Sequence, residues 1–156
     1  MERLADNHVS VDCVVIGFDG EDLNVLLVKR TFDDNGELFS DMKLPGALIY
    51  EDEDLDCAAA RILHDLTGLS NISMRQFKAY GSAHRTDDPK DVHWLEKISG
   101  MNISRIITVA YIASLNIDEN IKNSTSGTEA VWMKVDDVPR LPFDHNIIPI
   151  RLKFFF

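Results

Sequence analysis

The stretch from Gly46 to Leu69 restricts this chain more than any other. Leu55, Ala58, Ala59, Ile62, Leu63 and Leu66 recur at spacings of three and four, which lays one apolar stripe along a helix. Asp54 stands where a helix start favours a short polar side chain. Gly68 stands where a helix end favours a residue able to adopt the left-handed conformation. The spacing predicts one short helix, entered from a loop that opens at Gly46 and stopped at Gly68. The acidic run Glu51 to Asp54 precedes it, where negative charge suits the helix dipole.

A chain of 156 residues with 45% hydrophobic composition suits one compact domain with a sizeable core. The expected layout is a tail at 1–8, a domain at 9–150 and a short end at 151–156. A formal net charge of -10 argues against nonspecific adhesion to nucleic acid or anionic membrane, since both repel an acidic surface. The cysteines, Cys13 in an apolar strand and Cys57 in the helix, are expected as small core residues in a reducing cytoplasm. The first residues lack the apolar run of a signal peptide, and no later stretch reaches membrane-spanning length. His8, His64, His84, His93 and His145 have no metal-ligand spacing, and no nucleophile-elbow pattern supports a hydrolase triad.

Val9 to Phe18 is rich in β-branched residues and predicts a buried strand, with Asp19 to Asp22 as its turn and Leu23 to Lys29 as its partner. Lys29 and Arg30 follow at the strand end, where an ordinary solvated terminus is the plain alternative to a functional role. Thr31 to Glu37 reads as a turn-rich loop and Leu38 to Pro45 as the approach to the Gly46 loop, with Lys43 close to it. Beyond the helix, Ile72 to Tyr80 and Ile106 to Ala113 read as strands, Asn116 to Gly127 as an exposed polar loop and Ala130 to Val135 as a last strand. The segment Ile150-Arg151-Leu152-Lys153-Phe154-Phe155-Phe156 is unusually aromatic for a soluble surface and is read as a buried or truncated end.

Gly46, Glu53, Arg61, Leu63, Gly68 and Leu69, together with the upstream Leu44-Pro45, resemble the Nudix box, with one extra residue between Gly46 and Glu53. The likeness extends over most of the chain and implies an α/β (α+β) fold, a mixed β-sheet sandwiched between helices. In that family Glu53 and Arg61 correspond to a pair tying loop to helix, with Gly46 and Gly68 as the structural glycines. His84 to Pro89 and Phe143-Asp144-His145 are similar to passages of the family's NrtR-type transcriptional regulators, including their sugar-catabolism branch. About a dozen extra residues, the Pro89 to Gly100 part, separate the first of these from its strand, longer than usual connections. They are read as an inserted loop over the cleft or at a subunit contact, either a lid or a surface flap pinned by Trp94 and Leu95.

The departures carry the functional reading. Where the family's enzymes place metal-holding glutamates, this chain has Ile62, Asp65 and Leu66. Mg2+ and Mn2+ require oxygen donors, and hydrocarbon supplies none. The resemblance therefore implies a non-catalytic ligand-sensing domain with no metal and no catalytic residue, binding a sugar, a sugar phosphate or a nucleotide-sugar such as ADP-ribose. Lys29, Arg30, Lys43 and Arg85 are the candidate ligand contacts. A homodimer is expected by resemblance, and the winged helix of those regulators is absent, so no DNA binding is expected of this chain alone. The competing reading is a Mg2+- or Mn2+-dependent hydrolase of nucleoside diphosphate derivatives using Glu53, Asp65 and the acids Glu51, Asp52 and Asp56. A third is an interaction module with a blocked cleft.

Overall fold

The computed structural model describes residues 5–34, 36–81 and 106–138. Seven strands form one mixed sheet: β1 (Ala5–Phe18), β2 (Leu23–Asp34), β3 (Glu37–Lys43), β4 (Gly46–Tyr50), β5 (Arg75–Tyr80), β6 (Ile107–Asn116) and β7 (Ala130–Lys134). Helix α1 spans Leu55–Thr67 and α2 spans Glu119–Thr125, with a 3-10 turn at Val135–Asp137. The main path of the sheet runs β3-β2-β1-β6-β5, with β4 added on β1 and β7 on β2.

The β1 strand is the centre because both of its faces are apolar. Val11, Cys13 and Val15 join Leu26, Tyr111 and the α1 residues Ala58, Ala59, Ile62 and Leu63 in one cluster, on what is called here the helix face. Val14 and Ile16 join Val25, Leu27, Leu44, Tyr80, Ala110 and Ile112 in the other, on the outer face. Such a strand reads as a near-continuous hydrophobic run, as strands buried on both sides do. Its parallel partner is β6, in register from Val9 opposite Ile107 to Phe18 opposite Asn116, whereas β2 and β4 pair with it antiparallel.

Several expectations are corrected. β1 begins at Ala5, not Val9, because its first residue pairs with Tyr50 of β4. The turn-rich loop expected at Thr31 to Glu37 is the tip of a long hairpin: β2 and β3 remain paired as far as Asp34 opposite Glu37. The residues after Gly46 are strand β4, since Asp12 and Val11 offer Gly46 and Ala47 a free ladder. The polar stretch after Asn116 contains α2, whose start is capped by the Asp118 carboxylate accepting from the Ile121 N–H at 2.9 Å. Cys13 is buried as expected, but Cys57 lies on the exposed side of α1. The expected insertion at Pro89 to Gly100, and the passages around Arg85 and from Pro139 onward, lie outside the described residues.

Candidate functional site: the loop and helix from Gly46 to Leu69

Helix α1 ends as its sequence requires. Gly68 takes φ +79°, its N–H donates to the His64 carbonyl at 2.9 Å, and a methyl group there would collide with the Ser124 carbonyl of α2. Asp54 occupies the N-cap position without a side-chain capping bond, while its carbonyl accepts from the Ala58 N–H at 2.9 Å. The start of the helix is held from the sheet instead. Tyr111, buried in β6, donates its hydroxyl hydrogen to Asp56 and accepts from the Gln76 amide of β5 at 3.1 Å. Burial first, then the Asp56 bond, pushes the phenol pKa upward, so this hydroxyl stays protonated as a donor.

Glu53 and Arg61 form the hinge of the site. The guanidinium donates from Nε to Glu53 Oε2 at 2.7 Å and from Nη2 to Oε1 at 2.9 Å, and Nη2 also reaches the Leu48 carbonyl at 3.3 Å. The Tyr50 N–H donates to the same Glu53 Oε1 at 3.1 Å. The Tyr50 ring lies under the guanidinium, 4.2 Å from its carbon, a cation–π distance. Bidentate, charge-assisted pairing of this kind fixes orientation as well as energy. The Glu53 hydrogen bonds drive the arginine pKa further up.

On the strand side, three charged residues are drawn inward. Arg30 is buried and donates from Nε and Nη2 to Asp41 at 2.8 and 2.6 Å. Lys43 is buried too, and its ammonium donates to the carbonyls of Leu44 at 3.2 Å and Gly46 at 3.0 Å. Asp12 lies near it, accepting from the Thr108 hydroxyl at 2.6 Å. Gly46 packs so closely on Asp12 that a side chain there would strike the carboxylate and approach the Val11 carbonyl to 3.0 Å. Burial lowers the Lys43 pKa to about 8, against the opposing pull of Asp12. Burial likewise pushes the Cys13 thiol up, with the Asp12 charge adding to it, so that sulfur is not a nucleophile.

The sequence-derived candidates are thus distributed unequally. Glu53 and Arg61 meet, while Gly46 packs on Asp12 at the start of the loop and Gly68 on Ser124 at the end of the helix. Arg30 and Lys43 point into the protein, Lys29 is exposed at its β2 position, and Arg85 lies outside the described residues. Asp65 is exposed, 3.8 Å from the Arg61 guanidinium. Asp12, Thr108, Asp41, Gln76 and Tyr111 were not singled out from the sequence. The alternation of Ser10, Asp12 and Val14 around an apolar run is the one signal that marks Asp12 as a polar residue facing inward.

A divalent ion does not fit this helix. Ile62 is 1% exposed inside the helix-face core and the partly buried Leu66 packs against the same cluster, so two of the positions that need oxygen carry hydrocarbon. Both oxygens of Glu53 are engaged by Arg61 and Tyr50. Among the described residues, no group of three or more His, Cys, Asp or Glu side chains is arranged to hold a metal ion.

A mixed sheet carrying a Gly-loop-helix-Gly unit, closed by a glutamate–arginine pair, defines a Nudix-type fold. The chain belongs to that family: the model of the NUDIX domain matches residues 6–153. NrtR of Shewanella oneidensis is similar in structure, with TM-score 0.67 and 24% identity over 90% of this chain, which spans 59% of that one. The NUDIX domain of the same protein, complexed with ADP ribose, gives TM-score 0.63 and 24% identity over 95% of this chain and 84% of that chain. A mutT/nudix family protein from Listeria innocua gives TM-score 0.63 and 20% identity over 94% of this chain and 90% of that chain. No curated protein matches by sequence. Among the described residues no helix is long and apolar enough to cross a membrane.

Proposed function

We propose that this chain is a ligand-sensing Nudix domain of the transcriptional-regulator type, without phosphorus chemistry of its own, that binds an ADP-ribose-like nucleotide, a sugar or a sugar phosphate. The observation that carries this reading is Ile62 buried in the core, with Leu66 packed against it, beside an intact Glu53–Arg61 clasp. The Glu53–Arg61 clasp is kept while two of the three metal-holding positions carry no oxygen. The likeness to an NrtR domain complexed with ADP ribose supports the ligand class. Lys29 and Arg85 are the proposed direct contacts. Arg30 and Lys43 act from beneath, holding Asp41 and the Gly46 carbonyl in place. The domain works as a cytoplasmic homodimer at 9–150, and residues 1–156 by themselves do not bind DNA.

The test pairs binding with turnover. ADP-ribose, pentoses and pentose phosphates are screened by thermal shift. A ligand at a hundred times its Kd adds about 2.7 kcal/mol of stability. The same samples with Mg2+ or Mn2+ are followed for nucleotide and phosphate release. Stabilisation without release is expected. Turnover at about one per second or faster, lost in Glu53→Gln, replaces this reading with the hydrolase. The exposed acids Glu51, Asp52 and Asp54 are the feature that favours that second reading.

A further inference from the structure

On the outer face, at the end of the sheet away from the Gly46 loop, Ile16, Phe18, Leu23, Ser114, Leu115 and Asn116 line an open groove of about 350 Å3. That volume is at the low end for ligand pockets, which hold about 300–1,000 Å3, and it admits an inserted apolar side chain. Phe18 and Leu23 are 42% and 39% exposed in it, although the strands that carry them otherwise supply the core. No charged side chain is among the lining residues, so the groove itself offers nothing to a phosphate.

The surroundings of the groove carry the charge. β1 and β6 run parallel with Phe18 opposite Asn116, so both chains leave the sheet at one end, where the Ile117 N–H donates to the Phe18 carbonyl at 2.8 Å. The turn after Phe18 brings Asp19, Glu21 and Asp22, and the residues after Asn116 bring Asp118 and Glu119. β7 finishes at this end too, with Lys134 opposite Asn24, and the 3-10 turn that follows adds Asp136 and Asp137. Val135 of that turn packs on the outer-face cluster that contains Ile16. The bases here are Lys134, 3.3 Å from Asp22, and Lys122, 3.6 Å from Glu119. Among the described residues, seven carboxylates thus stand against two ammonium groups, an excess equal to half of the chain's formal net charge of -10. The Asp19 carboxylate accepts from the Asp22 and Glu21 amides at 2.7 and 2.9 Å, which holds its pKa down and keeps it charged.

An apolar cleft set in so negative a margin discriminates among occupants. Nucleic acid and anionic lipid are repelled by it. A second copy related by a two-fold axis would set the same carboxylates against themselves, which like-charge repulsion disfavours. A small cation would reach a single turn, whereas the acids are shared among the turns after β1, β6 and β7. A peptide with apolar side chains between lysines or arginines satisfies groove and margin together. We propose that this groove docks a basic, amphipathic segment of a partner protein, with an apolar side chain seated on Phe18 and Leu23 and its neighbouring cations held by the acidic turns. The groove lies across the sheet from helix α1, so such a partner docks without covering the Glu53–Arg61 clasp.

Titrating the isotope-labelled full chain with a short synthetic peptide that alternates leucine with lysine, while following backbone amide shifts, tests this. Shifts gathered at Phe18, Leu23 and Ser114 to Asn116 are expected, with an affinity that falls as salt is raised. Leu23→Ser, at an exposed position, should weaken binding about tenfold or more. Glu21→Lys combined with Asp137→Lys, both exposed, should weaken it as well and flatten the salt dependence. A peptide with serine in place of leucine that binds as tightly, or shifts spread equally over the acids Glu51 to Asp54, would show mere attraction of a polycation and overturn the proposal. Self-association of the free chain that Leu23→Ser abolishes would overturn it too, by giving the groove to a second copy.

Discussion

The Lys43 ammonium, buried under the turn it helps to shape, is the residue with the largest physical leverage. Folded, it holds its proton only up to about pH 8; unfolded, it holds it to 10.5. Between those values the unfolded state binds more protons, so stability rises with pH across that window, and below about 8 the full cost of the buried charge is carried. The rise is worth roughly 3 kcal/mol at most. Urea unfolding at successive pH values should show it in the wild type, and the increment should vanish in Lys43→Met. Gly46 supplies the second expectation at this scale. Because a methyl group there meets the Asp12 carboxylate and the Val11 backbone, Gly46→Ala should cost about 1–3 kcal/mol, read as a lowered thermal midpoint. A thermal midpoint unchanged from the wild type would show that Asp12 can move aside.

At the scale of the element, helix α1 was legible because its signals are local: the apolar period, the acidic start and the closing glycine all lie within one stretch of sequence. The seven-residue α2 was not, for it is too short to display a period and its cap, Asp118, sits among other polar residues. The long β2–β3 hairpin was missed for a related reason, since the Asp-rich tip resembles a loop until the partner strand is known. The charged pairs of the site were hidden more deeply. Arg30 with Asp41 is a cross-strand contact, and Asp12 with Thr108 joins residues far apart in sequence. Restoring glutamate on α1 tests what the helix has become. From the sequence alone, glutamate at 62 and 66 should recover metal affinity. With Ile62 placed 1% exposed in the core, Ile62→Glu should instead destabilise the fold by about 3 kcal/mol or more, with no gain in Mn2+ affinity by calorimetry. Tight Mn2+ binding by a stable Ile62→Glu protein would reverse that conclusion.

For the whole molecule, order is set by β1, which has three partners: β4 along its first part, β2 along its last, and the parallel β6 on the other edge. The family and its sheet followed from the box motif, whereas the parallel joining of β1 to β6, across nearly a hundred residues of chain, is a non-local pairing that no window of sequence displays. Amide exchange should therefore be slowest in Val11 to Ile16 and in Ala110 to Ala113, and much faster in β5, an edge strand whose residues Arg75 to Ala79 are all exposed. Uniform exchange across the sheet would contradict this hierarchy. The same arrangement fixes helix α1 in place. With Tyr111 gripping Asp56 at one end of α1 and the Ser124 carbonyl lodged against Gly68 at the other, the helix is a beam clamped at both supports. On the proposed sensor reading, a bound molecule acts through the short bridge from Tyr50 to Asp54, whose shape answers to whether Arg61 keeps its hold on Glu53.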